Sequence, residues 1–286
     1  MTISIQGVKG AFHEEAALNY YGEQINILPN ISFTEVIESI SLNKAKAGIM
    51  AVENTISGTI HSNLNLIRES GLPICGEVYL QIEQNLVGLP GTTISDLTEV
   101  HSHYMAIDQC REFFRGHPQI KLIESDDTAM SMKEIAEKQL SYAGAIGSRI
   151  GALHYGLKII AESIETNKKN YTRFLIIEKE NKTKPELINK SSLSITLPNH
   201  KGSLSQVLSV IAFYDVDLSK IESVPVVGEP WHYRFFIDVL FDNYDKYKSM
   251  LQAIGPLTDE LNIMGEYASG SRSFDEIHLK SKQASA

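Results

Sequence analysis

Short apolar runs alternate with segments of helical spacing from residue 2 to about residue 180. Eight of these runs predict strands, because each is a short apolar stretch bounded by turn residues. They are ISIQG, INILP, AGIMAVE, LPICGEVYL, IKLIES, YAGAIGS, LKIIAESI and TRFLIIE. The segments between them predict helices by i, i+3, i+4 spacing or by cap residues. They are FHEEAALNYYG, TEVIESISLNKAK, SGTIHSNLNLIRE, AIDQCREFF, DTAMSMKEIAEKQL and SRIGALHYG. Alternating strands and helices predict an α/β fold with largely parallel pairing.

A second pattern follows a polar segment, KENKTKPELINKSS, at about residues 179–192. This segment contains Pro185 and is the linker candidate of the chain. Beyond it the predicted order is strand, helix, strand, strand, helix, strand, which is the ferredoxin-like βαββαβ unit. The core face predicted for the first of these helices consists of Leu204, Val207, Leu208 and Ile211. Residues 271–286 are expected to form a polar tail.

Composition narrows the class of protein. With 286 residues, 43% hydrophobic and 21% charged, the chain has the composition of a globular protein of about two domains. A net charge of -9 argues against a nucleic-acid surface, which draws affinity from clustered Lys and Arg. The sequence shows neither a signal peptide nor a membrane span, so we expect no membrane partner and a cytoplasmic location. Cys75 and Cys110 form no CxxC motif and are expected to be reduced thiols.

Four predicted strand-to-helix junctions carry small or polar residues, namely GVKGA, ENTISGT, ESDDTA and GSR. Helix N-termini gather free N–H groups and positive potential, so junctions of this kind suit an anionic ligand. The alternative is ordinary helix capping, with Asp127 or Ser125 before a helix at 128 and Ser57 before a helix at about 58. Four such junctions together predict an anion-binding cleft at the carboxyl edge of the strands.

The candidate chemistry is that of polar side chains without a strong nucleophile. The sequence has no phosphate-binding loop, dinucleotide fingerprint, nucleophile elbow or HExxH motif. His101 and His103 lack further matched ligands, so we expect a polar pair at a strand end, no metal site and no cofactor. The polar residues at strand ends suit proton-assisted elimination or plain anion binding. They are Glu53, Asn54, Ser102, Gln109, Asn170, Thr172 and Arg173.

Ordered motifs along nearly the whole chain resemble those of the prephenate dehydratase family. GVKGAFHEEAA, AVENTISGTI, HSHYMAIDQC, SDDTAMS and NYTRF resemble five family segments in the family's order. The C-terminal unit is similar to the amino-acid-binding ACT domain, with HKGSLSQVL and KIESVPVVGEPWHYRFFIDV in the corresponding places. Val224 stands where the family has Arg, and Lys201 where it has Pro, which bears on feedback strength. We expect the monofunctional form, without a chorismate mutase domain.

This resemblance implies a domain plan. The catalytic domain would be residues 1–180, with two α/β lobes resembling those of periplasmic binding proteins, at about 1–75 plus 168–180 and at 76–167. The ACT regulatory domain would be residues 192–270. Because the effector would bind between paired ACT domains, we expect a homodimer or homotetramer.

The resemblance also implies roles for the residues of NYTRF. Thr172 would donate a hydrogen bond to the departing ring hydroxyl of prephenate, relayed through water or a neighbour, with Glu53 as a proton source on condition that it is buried. Arg173 would either hold the pyruvyl carboxylate, which we favour, or brace the cleft, because a grip on the leaving carboxylate would oppose decarboxylation. The residues expected to bind substrate are Asn54, Ser57, Gly58, Ser102, Gln109, Thr128, Asn170 and Phe174.

The predicted function is therefore decarboxylation and dehydration of prephenate to phenylpyruvate, with feedback by L-phenylalanine. The residues expected to contact L-phenylalanine are Asn199, Gly202, Ser203, Leu204, Glu222 and Ser223. Two alternatives stay open on the sequence. One is the same reaction on arogenate, the amino analogue, and the other is a non-catalytic small-anion sensor.

Overall fold

The computed structural model describes residues 1–270, and the predicted tail, residues 271–286, lies outside them. The chain forms two compact units, one of residues 1–59 and 79–174 and one of residues 60–78 and 175 onward. The second unit thus includes residues 60–78 as well as the predicted ACT region. No helix within residues 1–270 is long and apolar enough to cross a membrane.

Within residues 1–270 the predicted helices and strands occur in the predicted order, with three further strands among them. The first third contains β1 (Thr2–Gln6), α1 (Phe12–Tyr21), β2 (Asn26–Asn30), α2 (Phe33–Ser41), β3 (Ala47–Asn54), β4 (Gly58–Thr59), α3 (His61–Ser70) and β5 (Ile74–Gln81). Next come β6 (Asn85–Gly88), β7 (Glu99–His103), α4 (Tyr104–Arg115), β8 (Lys121–Ser125), α5 (Thr128–Lys138), β9 (Ala143–Gly147), α6 (Arg149–His154), β10 (Lys158–Ala161) and β11 (Tyr171–Glu178). The last part contains β12 (Lys190–Thr196), α7 (Ser203–Phe213), β13 (Asp217–Pro225), β14 (Tyr233–Leu240), α8 (Tyr244–Ile254) and β15 (Glu260–Tyr267).

The first unit contains two groups of paired strands. In one group β1 pairs in parallel with β2 and β3, and β4 folds back on β3. The other is a separate five-stranded sheet in the order β10-β6-β9-β7-β8. Here β7 is parallel to β8 and β9, whereas β6 is antiparallel to β9 and β10. Pairing in the second sheet is therefore mixed rather than largely parallel.

The pattern analysis missed β4, β6 and β7. Strand β6 has four buried residues, which is too short for any period to be read. In β7 the buried face carries both an apolar and a polar residue, because Ser102 is as buried as Val100. Alternation of apolar and polar residues therefore does not reveal this strand. A hydroxyl can occupy such a position because it donates a hydrogen bond inside the sheet, which the one-dimensional pattern does not show.

The second unit contains the predicted βαββαβ element. Strands β13-β14-β12-β15 form an antiparallel sheet, and Ile74 of β5 pairs with Gly265 of β15. The predicted core face of α7 is confirmed: Val207 and Ile211 are buried in the core, and Leu204 and Leu208 pack against it. The α/β fold with a ferredoxin-like unit is therefore confirmed.

Both cysteines are buried free thiols. Burial and the nearby Glu178 carboxylate raise the pKa of Cys75 to about 12. Burial and the Glu165 carboxylate raise the pKa of Cys110 above its ordinary value. Since the thiolate is the reactive form, neither residue offers a nucleophile near neutral pH.

Candidate active site

A buried hydrogen-bond network joins the end of β3 to the start of β11. The amide nitrogen of Asn54 donates to Asn170 Oδ1 at 2.8 Å and to Thr172 Oγ1 at 3.0 Å. Asn170 in turn donates to Gln109 Oε1, on α4, at 2.9 Å. Asn54, Asn170 and Thr172 are all more than nine-tenths buried. Four of the residues predicted to act at the site are thus brought together from three separate segments of the chain.

The turn after β3 fixes the direction of this network. Asn54 Oδ1 accepts hydrogen bonds from the backbone N–H groups of Ile56 and Ser57, both at 2.9 Å. Its amide nitrogen must therefore face Asn170 and Thr172, because a flipped amide would set donor against donor. The Thr172 hydroxyl accepts from Asn54, so its own proton is directed to another acceptor. This is the geometry that a hydrogen-bond donor to substrate requires.

The network also includes Gln84, which the sequence analysis did not select. Its amide nitrogen donates to Gln109 Oε1 at 3.4 Å, and its backbone N–H donates to the buried carboxylate of Glu165 at 2.8 Å. Gln84 Oε1 is buried and has no hydrogen-bond partner among residues 1–270. Gln84 and Glu165 lie on the two segments of the chain that enter and leave the second sheet. Their polar side chains between apolar runs are the feature of the sequence that could have identified them.

Arg173 lies on the opposite face of β11 from Thr172, because neighbouring side chains of a strand alternate. The Arg173 guanidinium lies 3.8 Å from the Glu53 carboxylate and 6.0 Å from the centre of the Tyr79 ring. Arg173 is buried, whereas the Glu53 side chain keeps 39% of its exposure. Strand alternation argues against a shared ligand for Thr172 and Arg173, and the Glu53 side chain is only partly buried. Of the two roles left open for Arg173, the geometry favours bracing.

Phe174 is a core residue rather than part of an open site. Its side chain is 1% exposed, and its ring meets the His13 ring edge-on, with centroids 5.0 Å apart. Desolvation by burial lowers the pKa of His13 to about 4, so this ring is neutral near pH 7. The prediction that Phe174 contacts substrate is not supported, since packing accounts for its position next to Thr172.

The remaining predicted substrate residues lie at strand and helix ends. Ser102 is buried, and its hydroxyl donates to the Ile146 carbonyl at 2.9 Å, which points it into the sheet. Thr128 begins α5 directly after the N-cap Asp127, whose carboxylate accepts from the Met130 N–H. Gly58 has a φ of 81° in an open position.

Two of the four predicted anion junctions are occupied by protein. Ser148 Oγ donates to the Gly10 carbonyl at 2.6 Å, and Gly10 approaches Gly151 so closely that a Cβ on Gly10 would lie 2.7 Å from the Gly151 Cα. GVKGA and GSR therefore pack against each other. Ser57 is not a helix cap, because α3 begins only at His61 and the Ser57 N–H serves the turn instead.

The two histidines of the HxH pair have separate protein partners. His101 Nε2 lies 2.9 Å from the Glu99 carboxylate, and His103 Nδ1 accepts from the Met105 N–H. Among residues 1–270 no group of three or more His, Cys, Asp and Glu side chains is arranged to hold a metal ion.

A second candidate site lies in the βαββαβ unit. A cavity of about 140 Å³ is lined by residues of the β12–α7 loop and of β14. The lining residues are Leu197, Pro198, Asn199, His200, Ser203, Leu204, Trp231, His232, Tyr233 and Phe235. Three predicted effector residues, Asn199, Ser203 and Leu204, are among them, and Gly202 precedes α7 with a φ of 90°. The aromatic rings were not selected from the sequence.

Glu222 does not face this cavity. Its cross-strand partner is Phe236, whereas Ser223 pairs with Phe235, which lines the cavity. Strand alternation therefore places Ser223 on the cavity side of the sheet and Glu222 on the other side. There the Glu222 carboxylate lies 2.7 Å from His61 Nε2.

Known proteins are similar to this chain over most of its length. The family model described as prephenate dehydratase matches residues 3–182. The bifunctional chorismate mutase/prephenate dehydratase of Aquifex aeolicus is 30% identical over 267 residues, which cover 93% of this chain and 73% of that protein.

Solved structures are similar over almost the whole chain. A prephenate dehydratase from Arthrobacter aurescens in complex with L-Phe has a TM-score of 0.83 at 25% identity and covers 99% of both chains. A structure described as GqqA, a novel type of quorum quenching acylase, has a TM-score of 0.84 at 25% identity. It covers 96% of this chain and 100% of its own.

Proposed function

The chain belongs to the prephenate dehydratase family, and on this premise we propose that it converts prephenate to phenylpyruvate under feedback by L-phenylalanine. The bond between the ring and its carboxylate breaks, and its electron pair enters the ring as carbon dioxide leaves. The bond between the ring and its hydroxyl breaks in the same direction of electron flow, and the hydroxyl takes a proton and departs as water. Aromatisation drives both losses, so the protein has to orient the substrate and assist the hydroxyl.

The observation that carries the proposal is the directed hydrogen bond on Thr172. Because Thr172 Oγ1 accepts from the Asn54 amide at 3.0 Å, its proton is free to be donated to the substrate hydroxyl. The same Asn54 bond stabilises the negative charge that grows on Oγ1 while this proton is shared. Asn170, Gln109 and Gln84 hold that geometry by fixing the amide network from its other end.

A threonine hydroxyl is a weak acid, so a relay must restore its proton. Glu53 precedes Asn54 on β3 and therefore points to the other face of that strand, toward Arg173. A direct Glu53 to Thr172 transfer does not fit this alternation, and we propose water as the relay. Glu53 and Arg173 then act as a pair that braces β3 against β11.

The anion site of the proposal is the turn after β3, with Ser57 and Gly58, together with the first turn of α5 at Thr128. The Ser57 N–H is held by Asn54 Oδ1 and Gly58 pairs with Asn54, so this turn lies directly beside the network. At α5 the Asp127 cap already offsets part of the positive potential of the helix end. The turn after β3 is therefore the better candidate for the substrate carboxylates.

Feedback is supported by the cavity of the βαββαβ unit, for which we propose the ACT role. Trp231, Tyr233 and Phe235 give it aromatic walls, and Asn199 and Ser203 supply polar groups for an amino acid head. Trp231 and Tyr233 remain 79% and 43% exposed, as expected of walls that a second copy completes. Homo-oligomerisation and a cytoplasmic location are part of the same proposal.

The decisive test is turnover by the pure protein. We expect phenylpyruvate from prephenate, at a rate that changes when L-phenylalanine is added. A parallel reaction with arogenate, followed as phenylalanine release, tests the amino analogue. An N-acyl substrate tests the activity described for the quorum quenching acylase. Binding of prephenate without turnover would instead favour the small-anion sensor.

A further inference from the structure

Helix α3 follows the catalytic hairpin, residues 53–59, with no intervening loop. In this hairpin β4 pairs with the end of β3, so that Gly58 faces Asn54 and Thr59 faces Glu53. A single residue, Ile60, then separates β4 from His61, the first residue of α3. The first turn of α3 is therefore close along the chain to the turn that orients Asn54.

Both ends of α3 are held by charged residues of the βαββαβ sheet. At its start, His61 Nε2 lies 2.7 Å from Glu222 of β13. Near its end, Arg68 lies 2.6 Å from Glu260 of β15, and Glu260 also binds Arg234 of β14 at 3.2 Å. The two guanidiniums favour the ionised carboxylate of Glu260, whose pKa is lowered on balance although burial opposes this.

The two attachments differ in strength. Glu260, itself 41% exposed, is bound by two arginines that keep 19% and 15% of their side-chain exposure, so this end of α3 is held by two ion pairs. His61 and Glu222 keep 46% and 30%. The His61–Glu222 pair is the weaker attachment, because its cationic partner is the more exposed and water screens it more. The start of α3 is thus the end that can move.

The sheet that holds α3 also lines the cavity of the βαββαβ unit, which is the proposed effector site and is called the effector cavity below. Tyr233 and Phe235 line the cavity, while Arg234 between them points to the other face of β14. On β13, Ser223 lies on the cavity side and Glu222 on the α3 side. A ligand that shifts β13 or β14 from the cavity side therefore displaces the partners of α3 on the other.

We propose that α3 carries the effector signal to the catalytic hairpin and that the His61–Glu222 pair is the link that effector binding changes. The inference rests on the proposed function, since it assigns the route by which L-phenylalanine alters prephenate turnover. His61 is a positioning residue in this scheme, because it acts on Asn54 only through the hairpin. Coupling of this kind requires that the ligand favour one arrangement of the pair over the other.

The test compares His61→Ala with Ser62→Ala, the neighbouring exposed position of the same helix. We expect His61→Ala to bind L-phenylalanine in calorimetry yet to lose about fivefold or more of the effector response, measured as the ratio of its turnover without and with L-phenylalanine. Ser62→Ala should respond as the wild type does. His61→Arg, which can still pair with Glu222, should restore the response.

The outcomes separate this inference from the proposed function. Absence of prephenate turnover in the wild type refutes the proposed function itself. A full effector response in His61→Ala overturns the α3 route alone, whereas wild-type turnover that ignores L-phenylalanine refutes the proposed feedback together with the route. In a Glu222→Gln background, His61→Ala should cause no further loss of response, and additive losses would also contradict the link.

Discussion

At the residue scale, the orientation of one amide decides the chemistry of the site. Two backbone N–H groups fix the orientation of the Asn54 amide. The Asn54 amide then donates to Asn170 and Thr172, and the Asn170 amide donates to Gln109. Each step is a donor meeting an acceptor, so the set acts as a unit rather than as separate contacts. The Thr172 proton is the free end of this set, and in the proposed mechanism it is donated to the substrate hydroxyl.

Replacement of Thr172 tests that conclusion. Thr172→Val keeps the shape of the side chain and removes the donor, and we expect turnover of prephenate to fall about a hundredfold or more, the scale of losing an acid-base group. Thr172→Ser, which keeps a hydroxyl, should retain most of the activity. Steady-state kinetics with circular dichroism checks both, and wild-type turnover in Thr172→Val would refute the assignment.

Glu15 gives a pH-dependent prediction at the same scale. Burial, followed by the nearby Glu83 carboxylate, raises its pKa from 4.5 to about 6. The folded chain therefore holds this proton more tightly than the unfolded chain does, so stability falls as pH rises through this range. We expect Glu15→Gln to melt at a higher temperature than the wild type above pH 6.

The control for this prediction is a comparison of Glu15→Gln with the wild type at acid pH. Below pH 4.5 the wild-type carboxyl is protonated in both states, so the two proteins should melt at nearly the same temperature. A stability difference that does not change between pH 4 and pH 7 would contradict the stated cause. Glu14→Gln, on the same turn of α1, provides a control for the general effect of removing a charge.

At the element scale, strand β5 is tied to β12 by a buried ion pair. The Lys190 ammonium lies 2.8 and 2.9 Å from the two Glu77 oxygens, and both side chains are at most 2% exposed. The Gly270 N–H also donates to this carboxylate. Strand β15 lies between β5 and β12 in the sheet, so the ion pair links two strands that are not hydrogen-bonded to each other, whereas it adds little net stability over an apolar pair.

Removing one partner should be far more harmful than removing both. Lys190→Met removes the ammonium group that lies against the buried Glu77 carboxylate, and we expect a loss of about 3 to 5 kcal/mol in the free energy of unfolding. The double variant with Glu77→Leu should recover much of this loss. Chemical denaturation measures both, and equal destabilisation of the single and double variants would show that packing rather than charge is responsible.

At the scale of the whole molecule, the effector cavity has exposed aromatic walls. Trp231 and Tyr233 belong to the β13–β14 turn and β14, where Val227 is also 97% exposed. Apolar side chains gathered in this way mark an interaction surface. We expect sedimentation to show at least a dimer, shifted or tightened by L-phenylalanine.

A variant of the cavity wall tests whether assembly and feedback share this surface. Trp231→Ala should weaken both L-phenylalanine binding and self-association while leaving uninhibited turnover in place. Leu187→Ala removes an exposed apolar side chain that does not line the cavity and serves as the control. A monomer that still responds fully to L-phenylalanine would contradict the paired arrangement.

The sequence by itself determined most of the order of elements and the βαββαβ unit, and it selected Asn54, Gln109, Asn170 and Thr172, which the structure brings together. Periodicity reports which face of an element is buried, and the motifs around Asn54, Gln109 and Thr172 mark the polar positions that this burial does not explain. Strand β7 was not predicted, because Ser102 is a polar residue in the sequence although it is buried in the structure. The tail beyond residue 270 was predicted from composition and lies outside the described residues.

Only the tertiary structure decided which side chains share a face. Thr172 and Arg173 are neighbours in sequence but point to opposite sides of β11, and Glu222 and Ser223 are separated in the same way on β13. Gln84 belongs to the hydrogen-bond network because the chain segments that lead into and out of the second sheet lie next to each other there. Strand pairing decides which side chains face each other, and the local spacing of residues in the sequence does not show this.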